Sequence, residues 1–309
     1  MANQSPPDKK SRSRWQKLRR RLITMLIVIA LTVLLVPVGL GIGTTVLLLY
    51  AACEESPYTP ADLGLPYEDI TLQARAGGAF RAYYVPGVEP ANGAAIIIAP
   101  TTAHGRGARL HLVDLYARHG YAVITYESRR CADMGPLSLG YKETDEIGDV
   151  LAYLLTRAEI DPDRIGLTGF SSAGAASIMA TARFPQISAV IAEGGYDDFA
   201  EGSIRLGTGG FLESVYKWSV VISYRVMAGE SIHKLSPLDV IGEIYPRPIL
   251  LIYGSKETTL EGAHRQQAAA GDHAELWVVE GAGHGSYWTV AEAEYKQRVI
   301  AFFDAALLQ

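Results

Sequence analysis

The residues with the clearest chemical potential lie in segment 169–174, which reads Gly-Phe-Ser-Ser-Ala-Gly. This segment follows a predicted strand at 165–168 and opens a helix predicted near 172–183. A serine on such a sharp strand-to-helix turn presents its hydroxyl above the sheet, and its neighbours must be small because strand and helix nearly touch. The glycine and alanine residues here meet that need, although Ala173 stands where a glycine is usual. We therefore predict that Ser171 is a nucleophile, the alternative being an ordinary serine that caps a helix.

A serine hydroxyl is a weak nucleophile until a base removes its proton. The chain has seven histidines, and His284 differs from the others because it lies in a glycine-rich loop between the predicted strand 275–279 and the terminal helix 290–307. Loops at the carboxyl ends of parallel strands converge on one edge of a sheet. We therefore predict that His284 is the base for Ser171.

A base of this kind needs an acid that orients its ring and stabilises its charged form. Glu257 lies four residues after the predicted strand 249–253, in the loop where such an acid is expected, and glutamate is accepted in place of aspartate. Asp197 and Asp198 follow the preceding strand and are the alternatives. We predict Glu257.

The negative oxygen that forms when a serine attacks a carbonyl needs two backbone N–H donors. The residue after the nucleophile supplies one donor, which here is Ser172, and the loop after the predicted strand 95–99 supplies the other. Two ways of locating the second donor in that loop give different residues. The spacing from Gly120-Tyr121 places the donor near Thr101 or Thr102, of which we favour Thr102, whereas the pair His104-Gly105 would instead nominate Arg106.

Strand and helix patterns alternate through most of the chain. Apolar or alternating runs predict strands at 68–74, 80–85, 95–99, 121–126, 165–168, 188–193, 249–253 and 275–279. Helical patterns lie between most of them, one of them over 141–159, which predicts a mostly parallel sheet of eight strands covered by helices on both faces. The first two strands form a predicted hairpin around Gly77-Gly78.

One long interval, about 197–247, separates two strands where a single helix would need fewer residues. It contains a predicted helix over 211–227 that is rich in apolar and aromatic residues. An insertion at this edge of the sheet is suited to a lid or substrate wall. A purely structural helical pair and a surface that rests on a membrane are the alternatives.

The charge of the chain is divided sharply. Residues 1–21 contain eight Lys and Arg residues against one Asp, a net charge of +7. Because the whole chain carries −5, the remaining residues carry −12. The acidic charge of residues 22–309 argues against nucleic-acid binding by this part of the chain, since phosphate contacts need clusters of Lys and Arg.

Residues 22–50 form a predicted transmembrane helix. No charged residue occurs between Leu22 and Cys53, and an apolar helix over 22–49 would measure roughly 42 Å, enough to cross a hydrocarbon core of about 30 Å. The cations just before the span predict a basic cytoplasmic tail at 1–21 and a body outside the cytoplasm. Three prolines mark 51–66 as a linker, so the folded domain is predicted at 67–309.

The two cysteines, Cys53 and Cys131, do not form a zinc or redox motif. Residues 50–53, Tyr-Ala-Ala-Cys, are a degraded version of a bacterial lipoprotein cleavage box, so lipidation of Cys53 is one interpretation. A disulfide between the two cysteines is the other, and an ordinary cysteine at the membrane surface is a third.

Five segments together resemble the α/β-hydrolase superfamily, in particular its bacterial branch related to the catalytic domains of dipeptidyl aminopeptidases and acylaminoacyl-peptidases. They are Gly140-Tyr141-Lys142-Glu143 with Asp149-Val150, Asp161 to Gly166, the turn around Ser171, Arg247 to Leu250, and Gly283-His284. The resemblance covers about 67–309. It implies the α/β-hydrolase fold and hydrolysis of an ester, thioester or amide by a Ser–acid–His triad. Besides Ala173 and Glu257, the sequence departs from the family at 126–130, Tyr-Glu-Ser-Arg-Arg, where members commonly show Asp-x-Arg-Gly.

The function predicted from the sequence is therefore a membrane-anchored serine hydrolase acting on a small-molecule or peptide-like acyl substrate. Membrane lipid is the partner expected for 22–50, while cofactors and metals are not expected. The alternative from a different class is a non-catalytic hydrolase fold that serves as an extracellular binding module.

Overall fold

The computed structural model of the chain describes residues 9–88, 90–203 and 209–309. Part of the predicted tail, residues 1–8, and part of the predicted insertion, residues 204–208, lie outside the described residues. Two compact units are distinguished: residues 9–45 with 209–223, and residues 46–203 (without 89) with 224–309.

The larger unit contains one sheet of eight strands in the order β1-β2-β4-β3-β5-β6-β7-β8. The hairpin β1–β2 is antiparallel and β2 pairs antiparallel with β4, while every other neighbouring pair is parallel. The strands are β1 (Glu68–Gln73), β2 (Ala79–Val85), β3 (Ala95–Ile98), β4 (Ala122–Tyr126), β5 (Ile165–Phe170), β6 (Ile187–Glu193), β7 (Ile249–Gly254) and β8 (Ala274–Val279). The eight predicted strands and the mostly parallel sheet are confirmed.

Ten α-helices occur among the described residues. They are α1 (Lys9–Leu49), α2 (Leu110–Arg118), α3 (Tyr141–Leu154), α4 (Ser172–Arg183), α5 (Phe199–Ser203), α6 (Phe211–Ala228), α7 (Pro237–Val240), α8 (Leu260–Ala270), α9 (Tyr287–Val290) and α10 (Glu292–Leu307). Short 3₁₀ turns at Pro60–Leu63, Ile232–Lys234 and Ile241–Ile244 complete the list.

Helices cover both faces of the sheet, which explains why its central strands are mostly apolar and are buried at nearly every position. Ile97 and Leu167 lie in a buried cluster with apolar residues of α3, α4 and α8. Ile96 and Ile98 lie in the opposite cluster, with residues of α2 and α10. The sheet is therefore a rigid layer between two helical layers, and its strand ends are fixed points for a site.

Two helices differ from the sequence prediction. Helix α3 ends at Leu154 rather than at 159, because Thr156 and Arg157 form tight turn hydrogen bonds to Tyr153 and Leu154 and Arg157 then pairs with Glu68 at 2.7 Å. Helix α8, between β7 and β8, has few large apolar residues, and the sequence pattern did not predict it. The helix predicted at 211–227 is confirmed as α6.

Helix α1 is long and apolar enough to cross a membrane. Its stretch Arg14–Leu49 has a mean hydropathy of 2.8 in its most apolar window, of which 11% is buried. Such a helix is suited to a membrane anchor and equally to a signal sequence.

Cys53 and Cys131 form a disulfide across 78 positions of sequence. The bridge joins the segment that follows α1 to the loop that follows β4. Beside it, Arg130 Nε donates to Ala51 O at 3.1 Å, and Leu137 N–H donates to Leu49 O at 2.9 Å. The segment that leaves α1 is thereby fastened to the body.

Candidate active site

Ser171 lies on the turn between β5 and α4, in a backbone conformation that side chains rarely adopt. Its φ is +59° and its ψ is −125°. The N–H of Ser171 donates to Glu193 O, at the end of β6, at 2.7 Å, which holds the turn in place. A methyl group on Gly169 would lie 2.4 Å from Ala173 O, so the strand and the helix do approach as closely as the sequence predicts. The turn presents the serine hydroxyl beyond the edge of the sheet.

His284 lies in the loop after β8, with its imidazole facing Ser171. The distance from His284 Nε2 to Ser171 Oγ is 3.0 Å, within hydrogen-bonding range. The ring of Phe170 packs against the imidazole with 4.7 Å between centroids, and so limits its movement. Gly194 passes so close that a methyl group there would lie 3.0 Å from His284 Nδ1.

Glu257, in the loop after β7, contacts the other nitrogen of the imidazole. Its Oε2 lies 2.8 Å from His284 Nδ1, and its side chain is only 1% exposed. The N–H of Gly254 donates to Oε1 at 2.7 Å, Tyr287 OH donates to the same oxygen, and Thr259 Oγ1 donates to Oε2 at 3.1 Å. This carboxylate is therefore fully supplied with donors.

Opposing effects act on the pKa of Glu257. Burial works to raise the pKa, but the hydrogen bonds from His284, Tyr287 and Gly254 outweigh burial and lower the pKa below its ordinary value. Because Glu257 is thus ionised at neutral pH and can only accept, His284 Nδ1 is the donor of that bond. His284 Nε2 is then the acceptor for the Ser171 hydroxyl.

The alternative acids lie elsewhere. Asp197 is buried and ion-paired to Arg265 at 2.7 Å, and its backbone carbonyl accepts from Leu238. Asp198 accepts from the N–H of Glu201 at 2.8 Å at the start of α5. Of the three acids considered from the sequence, Glu257 is the one that contacts His284.

Both residues predicted to supply the oxyanion donors line the cavity that contains Ser171. Ser172 is the first residue of α4, where the backbone N–H has no partner within the helix. Thr102 has a φ of +30° and lines the same cavity as Ser171 and His284. Arg106, the alternative to Thr102, lies apart from this cavity: its guanidinium contacts Asp69, and its carbonyl accepts from Thr125.

A cavity of about 530 Å³ opens above Ser171. Beyond the residues already described, its walls come from distant parts of the chain. They are the apolar or aromatic Leu48, Leu139, Tyr196 and Phe199, and the polar Lys256 and Thr258. Leu48 belongs to the last turn of α1. The cavity therefore has room for a small acyl group beside the serine hydroxyl.

A buried ion pair lies beneath the turn that carries Ser171. Glu193 is 1% exposed, and its carboxylate accepts two hydrogen bonds from Arg109 Nη2, at 3.0 and 3.1 Å, and one from Tyr295 OH at 3.0 Å. Because Glu193 O also accepts from Ser171 N–H, this ion pair supports the nucleophile's backbone. No local sequence pattern marks Glu193, Arg109 or Tyr295 as part of the site.

Tyr287 and Leu48 were also missed. Tyr287 follows His284 by three residues and turns back to Glu257, but a tyrosine near a loop histidine has no distinctive pattern. Leu48 is one leucine among many in an apolar helix. Neither contact is visible without the distances between remote segments.

The family departure at 126–130 has a structural role. Arg129 is buried, pairs with Glu146 at 2.5 Å and donates to the carbonyls of Met134 and Pro136 at 2.7 Å each. This arginine therefore organises the loop that leads to Leu139, one wall of the cavity.

A mostly parallel eight-stranded sheet, with a serine on a strand–helix turn and a histidine after the last strand, defines an α/β-hydrolase-fold serine hydrolase. The model of the X-Pro dipeptidyl-peptidase (S15) family matches residues 53–299. The chain belongs to this family.

The chain is also similar to individual proteins. The chain is 25% identical over 222 residues to the alpha/beta hydrolase domain-containing protein WAV2 of Arabidopsis thaliana, covering 69% of each protein. An esterase of Pyrococcus furiosus, Pf2001, shares the fold with a TM-score of 0.63 and 18% identity, covering 82% of this chain and 98% of that one. A puromycin hydrolase matches with a TM-score of 0.63 and 18% identity, covering 81% of this chain and 40% of the other.

Proposed function

We propose that this serine hydrolase is anchored in a membrane by α1 and cleaves an acyl ester, thioester or amide through Ser171, His284 and Glu257. The observation that carries the proposal is the continuous hydrogen-bonded line from Ser171 Oγ to His284 Nε2, 3.0 Å, and from His284 Nδ1 to Glu257 Oε2, 2.8 Å. Nucleophile and base within this distance, with a third group orienting the base, are what acyl transfer requires.

The reaction has two halves. Ser171 Oγ attacks the carbonyl carbon while its proton passes to His284 Nε2, and the N–H groups of Ser172 and Thr102 bind the negative oxygen. His284 then gives the proton to the leaving alcohol, thiol or amine, which departs and leaves an acyl-enzyme on Ser171. Water attacks this ester with His284 again as base, the acid is released and the serine regains its proton.

Two features support anchoring with the body outside the cytoplasm. The cations of 1–21 precede the apolar part of α1, and such clusters stay on the cytoplasmic side. The Cys53–Cys131 disulfide is of a kind that persists in oxidising compartments. A disulfide also uses the sulfur that lipidation of Cys53 would need, so we propose that the anchor is the helix itself.

The cavity favours an apolar acyl group over a free peptide N-terminus. An ammonium group needs an anionic partner when it leaves water. Among the described residues that line the cavity, Glu257 is the only one with an anionic side chain, and its carboxylate already binds His284. Lys256 and several hydroxyl groups also line the cavity, while Leu48, Leu139, Tyr196 and Phe199 supply apolar surface that suits a hydrocarbon chain.

The nucleophile is tested with a fluorophosphonate probe, which labels activated serines. We expect the detergent-solubilised full chain to be labelled and Ser171→Ala to lose labelling completely. Ser188→Ala, whose hydroxyl donates to Asp163 O, is the matched control and should label normally. Labelling of Ser171→Ala at the normal rate would refute the nucleophile assignment, and a wild-type chain that never labels would favour the non-catalytic binding module.

The substrate class is tested by comparing p-nitrophenyl esters of increasing chain length with aminoacyl-arylamides that carry a free amino group. We expect kcat/KM to rise with acyl length up to the capacity of the cavity and to be at least tenfold lower for the arylamides. Faster cleavage of the arylamides would contradict an apolar acyl site and favour a peptidase.

A further inference from the structure

Helix α6 exposes an apolar stripe. The stripe consists of Phe211, Val215, Trp218 and Ile222, which recur at helical spacing on one side. Phe211, Trp218 and Ile222 are 68%, 67% and 59% exposed, respectively. Large apolar side chains exposed in a contiguous row mark an interaction surface.

In the first three turns of this helix the charges lie away from the stripe, and Arg225, about one turn beyond Ile222, is the charge on the stripe's side. Within Phe211–Ser223, all of which is described, Glu213 and Lys217 are the ionic residues, and both project to the opposite side. They pair with each other at 2.5 Å, one helical turn apart, so that each neutralises the other. The stripe is therefore free of charge over three turns.

Helix α6 packs against the apolar helix α1. Thr45 Oγ1 and Ser223 Oγ are 2.6 Å apart, and Tyr216 OH donates to Thr44 Oγ1 at 3.2 Å. A methyl group on Gly41 would overlap Ser219 Oγ at 1.8 Å. Small residues and hydroxyl pairs at a close helix crossing are typical of helices that associate within lipid.

The contacts also give the direction of α6. Ser223 lies opposite Thr45 and Ser219 opposite Gly41, so both helices run the same way and the start of α6 lies toward the middle of α1. Counted from Leu22, a hydrocarbon core of about 30 Å uses about 20 residues and ends near Gly41. The first turns of α6 are then level with the outer half of the core, and Trp218 is near its boundary, where tryptophan is enriched in membrane proteins.

An apolar groove between α1 and α6 supports placing the first turns of α6 within the hydrocarbon core. It measures about 530 Å³ and is lined by Thr32, Val33, Val36, Pro37 and Leu40 of α1, and by Leu212, Glu213 and Tyr216 of α6. Apart from Glu213, which Lys217 neutralises, and the Tyr216 and Thr32 hydroxyls, its lining is hydrocarbon. An acyl chain of the bilayer fits such a groove, whereas water would find few partners there.

We propose that α6 is a second membrane-inserted element, which enters the outer leaflet beside α1 with the Phe211–Ile222 stripe facing lipid tails. The proposal rests on the anchoring by α1 proposed above. It makes the bilayer, rather than a protein partner or a second copy, the occupant of the exposed face.

The experiment uses the full chain in lipid nanodiscs, labelled at single introduced cysteines with an environment-sensitive fluorophore. The native cysteines are joined in the disulfide and stay unlabelled without reductant. Lipids carry a quenching spin label either near the headgroup or near the middle of the acyl chain. For Phe211→Cys we expect the mid-chain label to quench more strongly, and for Ile222→Cys the headgroup-proximal label.

Two controls separate failure of this proposal from failure of the anchoring. Leu31→Cys, on the exposed side of α1, should be quenched by the mid-chain label, and Asp272→Cys, on the surface of the larger unit, by neither label. If Leu31→Cys is quenched while Phe211→Cys and Ile222→Cys match Asp272→Cys, α6 insertion is overturned and anchoring stands. If Leu31→Cys is also unquenched, both proposals fall.

Discussion

The orientation of His284 depends on how firmly Glu257 is held. Three donors besides the imidazole, from Gly254, Thr259 and Tyr287, fix the carboxylate. Tyr287 thus acts through Glu257 without touching the serine, which makes it a positioning residue. Fixing the base in one orientation and tautomer is what the third member of such a triad contributes.

Removal of the tyrosine hydroxyl tests this positioning role. We expect Tyr287→Phe to lower kcat by roughly tenfold with little change in KM, because a hydrogen bond to a charged group contributes about 1.5–3 kcal/mol. Steady-state kinetics with a p-nitrophenyl ester provide the measurement.

Tyr121→Phe is the matched control for Tyr287→Phe. Tyr121 OH also donates to a carboxylate, that of Asp304, at 2.6 Å, but far along the sheet from Ser171. The Tyr121→Phe substitution should lower the melting temperature and leave kcat unchanged. Equal losses of kcat in both variants would show that Tyr287 acts only on stability.

The pH dependence of kcat/KM follows from the charge states at the site. A histidine must be neutral to accept a proton, and histidines lose their proton between about pH 5 and 8. The pKa of Glu257 is lowered, so the stabilising carboxylate is fully ionised above the ordinary pKa of a glutamate. This stabilisation is lost only when the pH falls through the lowered pKa of Glu257. We therefore expect activity to rise from acidic to neutral pH, because the base must be free of its proton while Glu257 stays ionised, and a flat profile would count against His284 as the base.

At the level of elements, the site is a property of strand ends. Ser171 follows β5, Glu257 follows β7 and His284 follows β8, while Thr102 follows β3. These strands run parallel, so their carboxyl ends meet at one edge. The central strands and the helices on both faces hold that edge rigid, which explains how loops can position the side chains within hydrogen-bonding range.

The turn at Ser171 gives a matched pair of substitutions. In Gly169→Ala the new methyl would meet Ala173 O at 2.4 Å and Ser177 Oγ at 2.5 Å, so β5 and α4 must separate. We expect a loss of about 1–3 kcal/mol in the free energy of unfolding and strongly reduced probe labelling.

Ala173→Gly, which restores the residue usual at this position, should instead cost about 1 kcal/mol through helix propensity and retain labelling. Denaturant unfolding and the fluorophosphonate assay together distinguish the two variants. Normal labelling of Gly169→Ala would mean that the close approach is not needed.

For the whole molecule, the Cys53–Cys131 disulfide is the main covalent constraint between the segment that leaves α1 and the body. We expect the free energy of unfolding of the double variant Cys53→Ser/Cys131→Ser to be about 2–4 kcal/mol lower than that of the wild type, because a cross-link restricts the unfolded chain. Chemical denaturation of the full chain in detergent, with and without reductant, provides the measurement. Reductant should destabilise the wild type and leave the double variant unchanged; an identical response in both would argue against the bridge.

Much of the fold was readable from local pattern. Each strand is a short apolar or alternating run, and the turn around Ser171 has a composition that few other local structures need. The missed helix α8 contains small and polar residues, and its few apolar contacts come from tertiary packing. The end of α3 at Leu154 likewise depends on the Arg157–Glu68 pair, whose members are 89 positions apart.

Local sequence pattern is sufficient to predict the eight strands and their order along the chain, the apolar span, and the serine and histidine that stand at strand ends. These features follow from the periodicity of side chains and from the rule that parallel strands end at one edge. Three-dimensional packing is what brings Glu257, rather than Asp197 or Asp198, into contact with His284 and places Thr102, rather than Arg106, in the cavity of Ser171. It alone paired Cys53 with Cys131 and brought Tyr287 to Glu257. Each of these depends on distances between segments far apart in the chain, and no local pattern of residues encodes them.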